Sequence, residues 1–293
     1  MELFGYLFIG MVIGTLSGFF GVGGGFLLTP LLLLLGYAPV TAIAMSLLYT
    51  IGTSVAGIFA HFRLKNIEWK IALPIGLSGI VATQFAHPFV LYLEEHHYDK
   101  TVIPLIYLLL LSYFAFSMLK KRSTGGETIQ TKRTASLLTI IAIGFFSGFM
   151  STSLGVGGGF ILVPLLISVI GLPPKKAVGT SLFGVLFMVV AGFATYAFAT
   201  PINYTYGLSL IAGAFITSQL GASLTTYYHE TDICRLLGFL YVATAASVLL
   251  KLAHHNTSGF ILLTIFVTYL ISLFTIKFTE HRKSEKAVIN EKS

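Results

Sequence analysis

Charged residues divide the chain into long apolar runs. Asp, Glu, Lys and Arg are absent from 3–62, 71–93, 101–119, 134–174, 177–229 and 252–276, and a shorter run covers 236–250. A helix needs about 20 apolar residues to cross roughly 30 Å of hydrocarbon. The longer runs therefore hold more than one element, and Pro, Gly and polar residues mark the divisions. This pattern predicts helices over 3–20, 26–35, 39–62, 71–93, 101–119, 135–153, 160–170, 175–199, 204–228, 235–252 and 258–277. The segments 26–35 and 160–170 are short, and the pattern leaves open whether they span or re-enter. The expected fold class is an all-α polytopic membrane protein.

The second half of the pattern repeats the first. GVGGGFLLTPLL at 21–32 and GVGGGFILVPLL at 155–166 match at ten of twelve positions, at an offset of 134. Ser17 falls on Ser151 and Gly14 on Gly148 at the same offset. One inserted residue shifts the offset to 135, which places Pro39 on Pro174, Ala42 on Ala177, Ser46 on Ser181, Gly57 on Gly192, Ile67 on Ile202 and Gln84 on Gln219. The expected organisation is a first transmembrane repeat over 1–119, a basic cytoplasmic linker over 120–134 and a second repeat over 135–252. One extra span at 253–278 and a polar cytoplasmic tail at 279–293 complete the chain.

Charge gives the two repeats a relative orientation. Lys and Arg collect on the cytoplasmic side of a membrane. Arg63, Lys65 and Lys70 follow the third predicted helix, whereas the equivalent loop 199–203 has no basic residue. The linker carries Lys120, Lys121, Arg122, Lys132 and Arg133, and the tail carries Arg282, Lys283 and Lys286. Placing these segments inside puts the N-terminus outside the cytoplasmic membrane and the C-terminus inside it. The count closes only if each glycine-containing pair of helices returns to the side it started from. The repeats are then inverted, an arrangement many secondary transporters use.

Composition narrows the function classes. Of 293 residues, 55% are hydrophobic and 10% charged, against about 25% charged in soluble domains. The net charge of +7 sits in short clusters between apolar runs. It is therefore a topology signal and not a nucleic-acid surface. The single cysteine, Cys234, excludes an internal disulfide and a Cys-based metal cluster.

The glycine stretches Gly21-Val22-Gly23-Gly24-Gly25 and Gly155-Val156-Gly157-Gly158-Gly159 carry the candidate chemistry. Three consecutive glycines are poor helix, at about 1 kcal/mol each relative to Ala. Broken helix is tolerated in a membrane only where it is buried in protein or lines a cavity. Free N–H groups at the start of the following helix suit an anion. Neither stretch is a P-loop, because no Lys follows Gly25 or Gly159, and Phe26 and Phe160 stand where a dinucleotide fingerprint needs glycine. Gly10, Gly14 and Gly18 have the spacing of a helix-packing face.

Gln84 and Gln219 are matching amides inside apolar spans, placed either to bond neighbouring helices or to face a solute. Ser17, Ser151, Ser46, Ser181 and Thr180 could add hydroxyl donors, although membrane Ser and Thr usually bond their own backbone. His61 and His87 fall near span ends, where interfacial placement is the simpler account. No carboxylate or basic residue lies deep in a predicted span, so a proton relay, a sodium site and a fixed cation for an anion are not expected. No metal or cofactor is expected either.

These residues resemble the TauE/SafE family of sulfite and organosulfonate exporters. The resemblance is carried by Gly-x-Gly-Gly-Gly followed by an apolar run and Pro, here Gly21 to Pro30 and Gly155 to Pro164. The segments Pro39-Val40-x-Ala42-x3-Ser46, Pro174-Lys175-x-Ala177-x2-Gly179-Thr180-Ser181 and Asn66-Ile67-x-Trp69 extend it over about 5–275. It implies a permease for sulfite, a sulfonate or a related sulfur-containing anion, with the two glycine motifs and adjoining Ser and Thr residues on the solute path. The expected partners are a small anionic solute and the lipid bilayer, with no nucleic acid and with homo-oligomerisation left open. The competing readings are a transporter or channel for another small solute, a scaffold, and a membrane-embedded enzyme, which would need clustered His or carboxylates that the chain lacks.

Overall fold

The computed structural model describes residues 2–120, 136–198, 200 and 202–292, with side chains described between 3 and 281 in those ranges. The expected linker therefore lies outside the described residues, apart from Lys120. The elements are α1 (Glu2–Phe20), α2 (Gly25–Leu34), α3 (Pro39–Arg63), α4 (Trp69–Glu95), α5 (Asp99–Lys120), α6 (Leu137–Leu154), α7 (Gly159–Leu165, continued by a wider π turn at Leu166–Ile170), α8 (Pro174–Ala197), α9 (Tyr204–Leu224), α10 (Glu230–Leu252) and α11 (Asn256–Lys292). Among the described residues, nine helices are long and apolar enough to cross a membrane, and the segments Gly25–Leu34 and Gly159–Ile170 are shorter. The chain is an all-α polytopic membrane protein.

Local chemistry sets the helix ends. Pro39 and Pro174 open α3 and α8, where a missing N–H is harmless and φ is already helical. The Asn203 side-chain oxygen accepts the N–H of Tyr206 at 3.2 Å and caps α9. The last helix differs from expectation: α11 does not stop at 277 but continues through the polar segment to Lys292.

Helices of one half pack mainly on helices of the other. The principal neighbour of α1 is α9, and that of α4 is α6. Small residues make this contact close. A side chain at Gly10 would meet the Leu210 carbonyl oxygen at 2.1 Å, one at Gly14 the Ala214 Cα at 2.6 Å, and one at Gly18 the Ser218 carbonyl oxygen at 1.9 Å. Gly10, Gly14 and Gly18 are thus a packing face that brings two backbones together. The residue order shows that α1 and α9 run in the same sense. So do α3 and α9, through Leu48 with Gly207, Gly52 with Ile211 and Gly57 with Ser218. Likewise α4 runs with α6, through Gly79 with Gly148 and Phe89 with Phe149. It also runs with α8, through Trp69 with Phe183, Gly79 with Met188 and His87 with Tyr196.

Candidate functional site: two glycine bends meeting at the core

Each glycine stretch breaks the helix in the same way. Gly21, Gly23 and Gly24 have φ of 69°, 77° and 75°, and Gly155, Gly157 and Gly158 have 69°, 76° and 71°. Residues with a Cβ avoid this left-handed region. The bends turn the chain from α1 into α2 and from α6 into α7.

The two bends are packed on one another. A Cβ at Gly25 would lie 2.6 Å from the carbonyl oxygen of Gly155, and one at Gly159 would lie 2.7 Å from that of Gly21. Each bend also crosses the main chain of the opposite half: a Cβ at Gly21 would lie 2.7 Å from the Val178 Cα, and one at Gly155 would lie 2.5 Å from the Ile43 Cα. They meet beside Thr50, near the middle of α3, and Val185, near the middle of α8. Thr50 Cγ2 would lie 2.7 Å from a Cβ on Gly23 and 2.5 Å from one on Gly157. Every residue from Leu16 to Leu34 and from Ser151 to Pro164 is buried.

Exposed carbonyls of the broken helices are taken up by side chains from elsewhere. Four residues after Phe26 and Phe160 stand Pro30 and Pro164, which have no N–H to give. The hydroxyl of Tyr107 in α5 donates to Phe26 O, and that of Tyr241 in α10 donates to Phe160 O at 2.8 Å. At the ends of α1 and α6, where carbonyls lose their helical partners, His61 Nε2 lies 3.2 Å from Gly18 O and Tyr196 donates to Thr152 O at 3.1 Å. Thr53 donates to Gly23 O at 2.7 Å, Ser181 to Gly21 O at 2.7 Å and Thr29 to Gly155 O at 3.0 Å.

The residues singled out from the sequence separate into two groups. The eight glycines come together, with Ser17 beside Gly24 and Ser151 beside Gly158. Ser17, Ser46 and Ser151 are fully buried, and their hydroxyls have no partner among the described residues. Ser181 serves Gly21. Thr180 is a bracing residue, since its hydroxyl accepts the N–H of Glu68 at 3.0 Å. The glutamines are elsewhere. Gln84 is exposed and bonded to Thr83, and the Gln219 amide reaches only Phe215 O on its own helix, at 3.5 Å. Helical periodicity explains this for Gln84: Ala82, Thr83 and Ala86 take the buried face of α4 and leave Gln84 and Phe85 outside. His61 also departs from expectation. It is fully buried, holding Gly18 O on one side and facing the Asn66 amide at 3.3 Å on the other.

Tyr107, Tyr241, Thr50, Thr53 and Thr29 were not singled out from the sequence. The tyrosines are 134 residues apart, so the repeat alignment finds them once the one-residue insertion is offset again after Gln219. Thr50 and Thr53 carry no such signal, because Val185 and Met188 occupy the matching positions. Among the described residues, no group of three His, Cys, Asp or Glu side chains could hold a metal ion.

A family described as sulfite exporter TauE/SafE matches residues 6–248, which include both bends and the helices around them. The chain belongs to the TauE/SafE family. It is a membrane transporter and not an enzyme. A probable membrane transporter of Haemophilus influenzae is 28% identical over 270 residues, covering 84% of this chain and 97% of its own length. One from Methanocaldococcus jannaschii is 27% identical over 212 residues, covering 70% of this chain and 76% of its own. The probable membrane transporter YunE of Bacillus subtilis is 26% identical over 256 residues, covering 80% and 92%. No solved structure matches the chain.

Proposed function

We propose that this transporter carries a small oxyanion, of the sulfite or organosulfonate kind, across the cytoplasmic membrane by alternating access around the paired bends. The observation that carries the reading is the meeting of the two bends near the middle of α3 and α8, where broken backbone is allowed only beside protein or a cavity. Main-chain N–H groups at the start of α2 and of the segment after Gly158, with the unpartnered hydroxyls of Ser17, Ser46 and Ser151, would replace the solute's water shell, while Ser181 holds the first bend through Gly21 O. With no fixed cation among these groups, binding is weak and release is easy. The burial of both bends corresponds to an occluded conformation.

The packing supports an inverted repeat with re-entrant hairpins. α1, α3 and α9 share one sense, and α4, α6 and α8 share another. The repeat pairs α1 with α6, α3 with α8 and α4 with α9, so every helix has its counterpart in the other set. The short loop 64–68 reverses α3 into α4, which makes the two senses opposite. The Tyr6 hydroxyl bonds that of Tyr37, and the Tyr6 ring stacks on Tyr206 at 4.4 Å. The start of α1, the end of α2 and the start of α9 therefore share one membrane face, as a hairpin that goes in and comes back requires. At the other face Glu68 pairs with Lys176, which joins the loop after α3 to the start of α8. The basic residues of these loops favour the cytoplasm for that face and the outside for the N-terminus.

An inside-negative potential drives anion efflux by about 2.3 kcal/mol per charge per 100 mV, so export needs no elaborate coupling site. The test is flux in proteoliposomes against sulfite, sulfate, thiosulfate, taurine and sulfoacetate under a clamped potential. Saturable flux of a sulfur oxyanion that responds to potential is the expected result. Transport of none of them would overturn the reading.

A further inference from the structure

The two bends are near copies, but their surroundings are not. The atoms nearest a side chain at Gly24 would be Tyr49 Cε1 at 2.7 Å, Ile13 Cγ2 at 3.3 Å and Ser17 Cβ at 3.3 Å. Around Gly158 they would be Ser151 Cβ at 3.2 Å, the Ser147 carbonyl oxygen at 3.3 Å and Met188 Sδ at 3.4 Å. The repeat aligns Ile13 with Ser147, Ser17 with Ser151 and Tyr49 with Gly184. The first half thus fills its niche with an aromatic ring and a branched alkyl chain. The second half has Ser147 and Ser151 on α6, the Met188 sulfur, and Gly184 in place of the ring, with Ile75 Cγ2 2.9 Å from where a Cβ on Gly184 would lie.

Ser147 and Ser151 are one turn apart on one face of α6, and the Ser151 Cβ and the Ser147 carbonyl oxygen are the α6 atoms nearest a side chain at Gly158. Both are fully buried, and neither hydroxyl has a partner among the described residues. Many hydroxyls on other helices are bonded. Thr15, Thr217, Thr244, Ser247, Thr264 and Thr268 each donate to a carbonyl three or four residues earlier. Buried polar atoms are nearly always hydrogen-bonded, and an exception calls for a missing partner. Seven buried hydroxyls among the described residues lack one, those of Ser17, Ser46, Ser54, Ser147, Ser151, Thr152 and Ser153, and of these Ser147 and Ser151 stand one turn apart beside the second helix break and can share a partner.

We infer that the solute binds off the axis relating the two halves, in the second-half niche, with the Ser147 and Ser151 hydroxyls donating to oxygens of one oxyanion per chain. The inference rests on the reading of the bends as the solute path and adds which side holds the solute and through which donors. Ser147 is the decisive residue, because its counterpart Ile13 cannot donate.

The experiment uses the full chain in proteoliposomes with labelled sulfite and taurine as probes. Ser147→Ala and Ser151→Ala are each expected to raise KM by about tenfold with little change in kcat, as loss of one hydrogen bond to a charged group predicts. Ser147→Thr, which keeps a hydroxyl, is expected to recover most of the affinity. Ser151→Ala should also have a larger effect than Ser17→Ala. Thermal unfolding in detergent separates lost binding from lost packing. Unchanged KM in both alanine variants, or equal effects of Ser17→Ala and Ser151→Ala, overturns the off-axis site while loss of flux in Gly158→Val keeps the bends on the path. Wild-type flux in Gly24→Val and Gly158→Val, or no flux of either probe in the parent protein, overturns both.

Discussion

The Tyr107 hydroxyl donates a hydrogen bond to the carbonyl oxygen of Phe26, the one carbonyl in the first turn of α2 whose helical donor is replaced by Pro30. The proline frees an acceptor in the dry interior, and a side chain from α5 takes it up. Tyr241, Phe160 and Pro164 repeat the arrangement in the second half.

Tyr107→Phe is expected to lower stability by about 1–3 kcal/mol, the usual penalty for a buried acceptor left unpaired. Pro30→Ala restores an N–H four residues after Phe26, so it should recover part of that loss when combined with Tyr107→Phe. A double-mutant cycle of thermal midpoints in detergent measures the coupling. Additive effects would show that the two residues are independent.

Gly24→Val and Gly158→Val should abolish transport while the protein still reaches the membrane. The backbone there is at φ of 75° and 71°, which a β-branched residue does not adopt, and at Gly24 a side chain would also strike the Tyr49 ring. Flux assays beside a membrane-fraction immunoblot test this directly.

Thr53→Val and Thr50→Val should differ. The Thr53 hydroxyl holds Gly23 O across the helix break, whereas the Thr50 hydroxyl bonds only Ser46 O on its own helix. The first change should cost about 1–2 kcal/mol of stability and the second much less. Val185, the counterpart of Thr50, already puts a valine at the equivalent place. Equal melting shifts would contradict this assignment of roles.

Gln84→Leu and Gln219→Leu should leave the apparent affinity for sulfite within about twofold, because Gln84 is exposed and the Gln219 amide reaches Phe215 O on its own helix, away from the bends. Concentration dependence of uptake decides it.

Single cysteines on a Cys234→Ser background should sort by face. Tyr37→Cys and Tyr98→Cys should react with an impermeant thiol reagent from outside the cell, and Lys65→Cys and Lys176→Cys only from the cytoplasm. Labelling of Tyr37→Cys from the cytoplasm would mean that α2 crosses the membrane and does not turn back.

The helices were legible in the sequence because lipid demands long apolar runs and charge interrupts them. The glycine bends were legible because a triple glycine has few structural uses and here occurs twice at a fixed offset. Gln84 and His61 differ from expectation for two reasons. Sequence gives the depth of Gln84 along the membrane normal, but its role depends on rotation about the axis of α4, which Ala82, Thr83 and Ala86 decide. His61 lies near the end of its span, which by itself suggests an interface. The carbonyl at the end of α1 that it serves belongs to another helix, and such pairings appear only once the helices are assembled.

The contact of Gly10 with Leu210 ties together positions about 200 residues apart. At roughly 5–20 residues per second of synthesis, α1 waits about 10–40 s for α9 to emerge from the ribosome. During that interval its small-residue face, shaped for a backbone that does not yet exist, meets only lipid tails or the insertion machinery. A nascent chain truncated after α5 has nowhere to seat that face. The order of translation therefore makes the second half the template on which the first half matures.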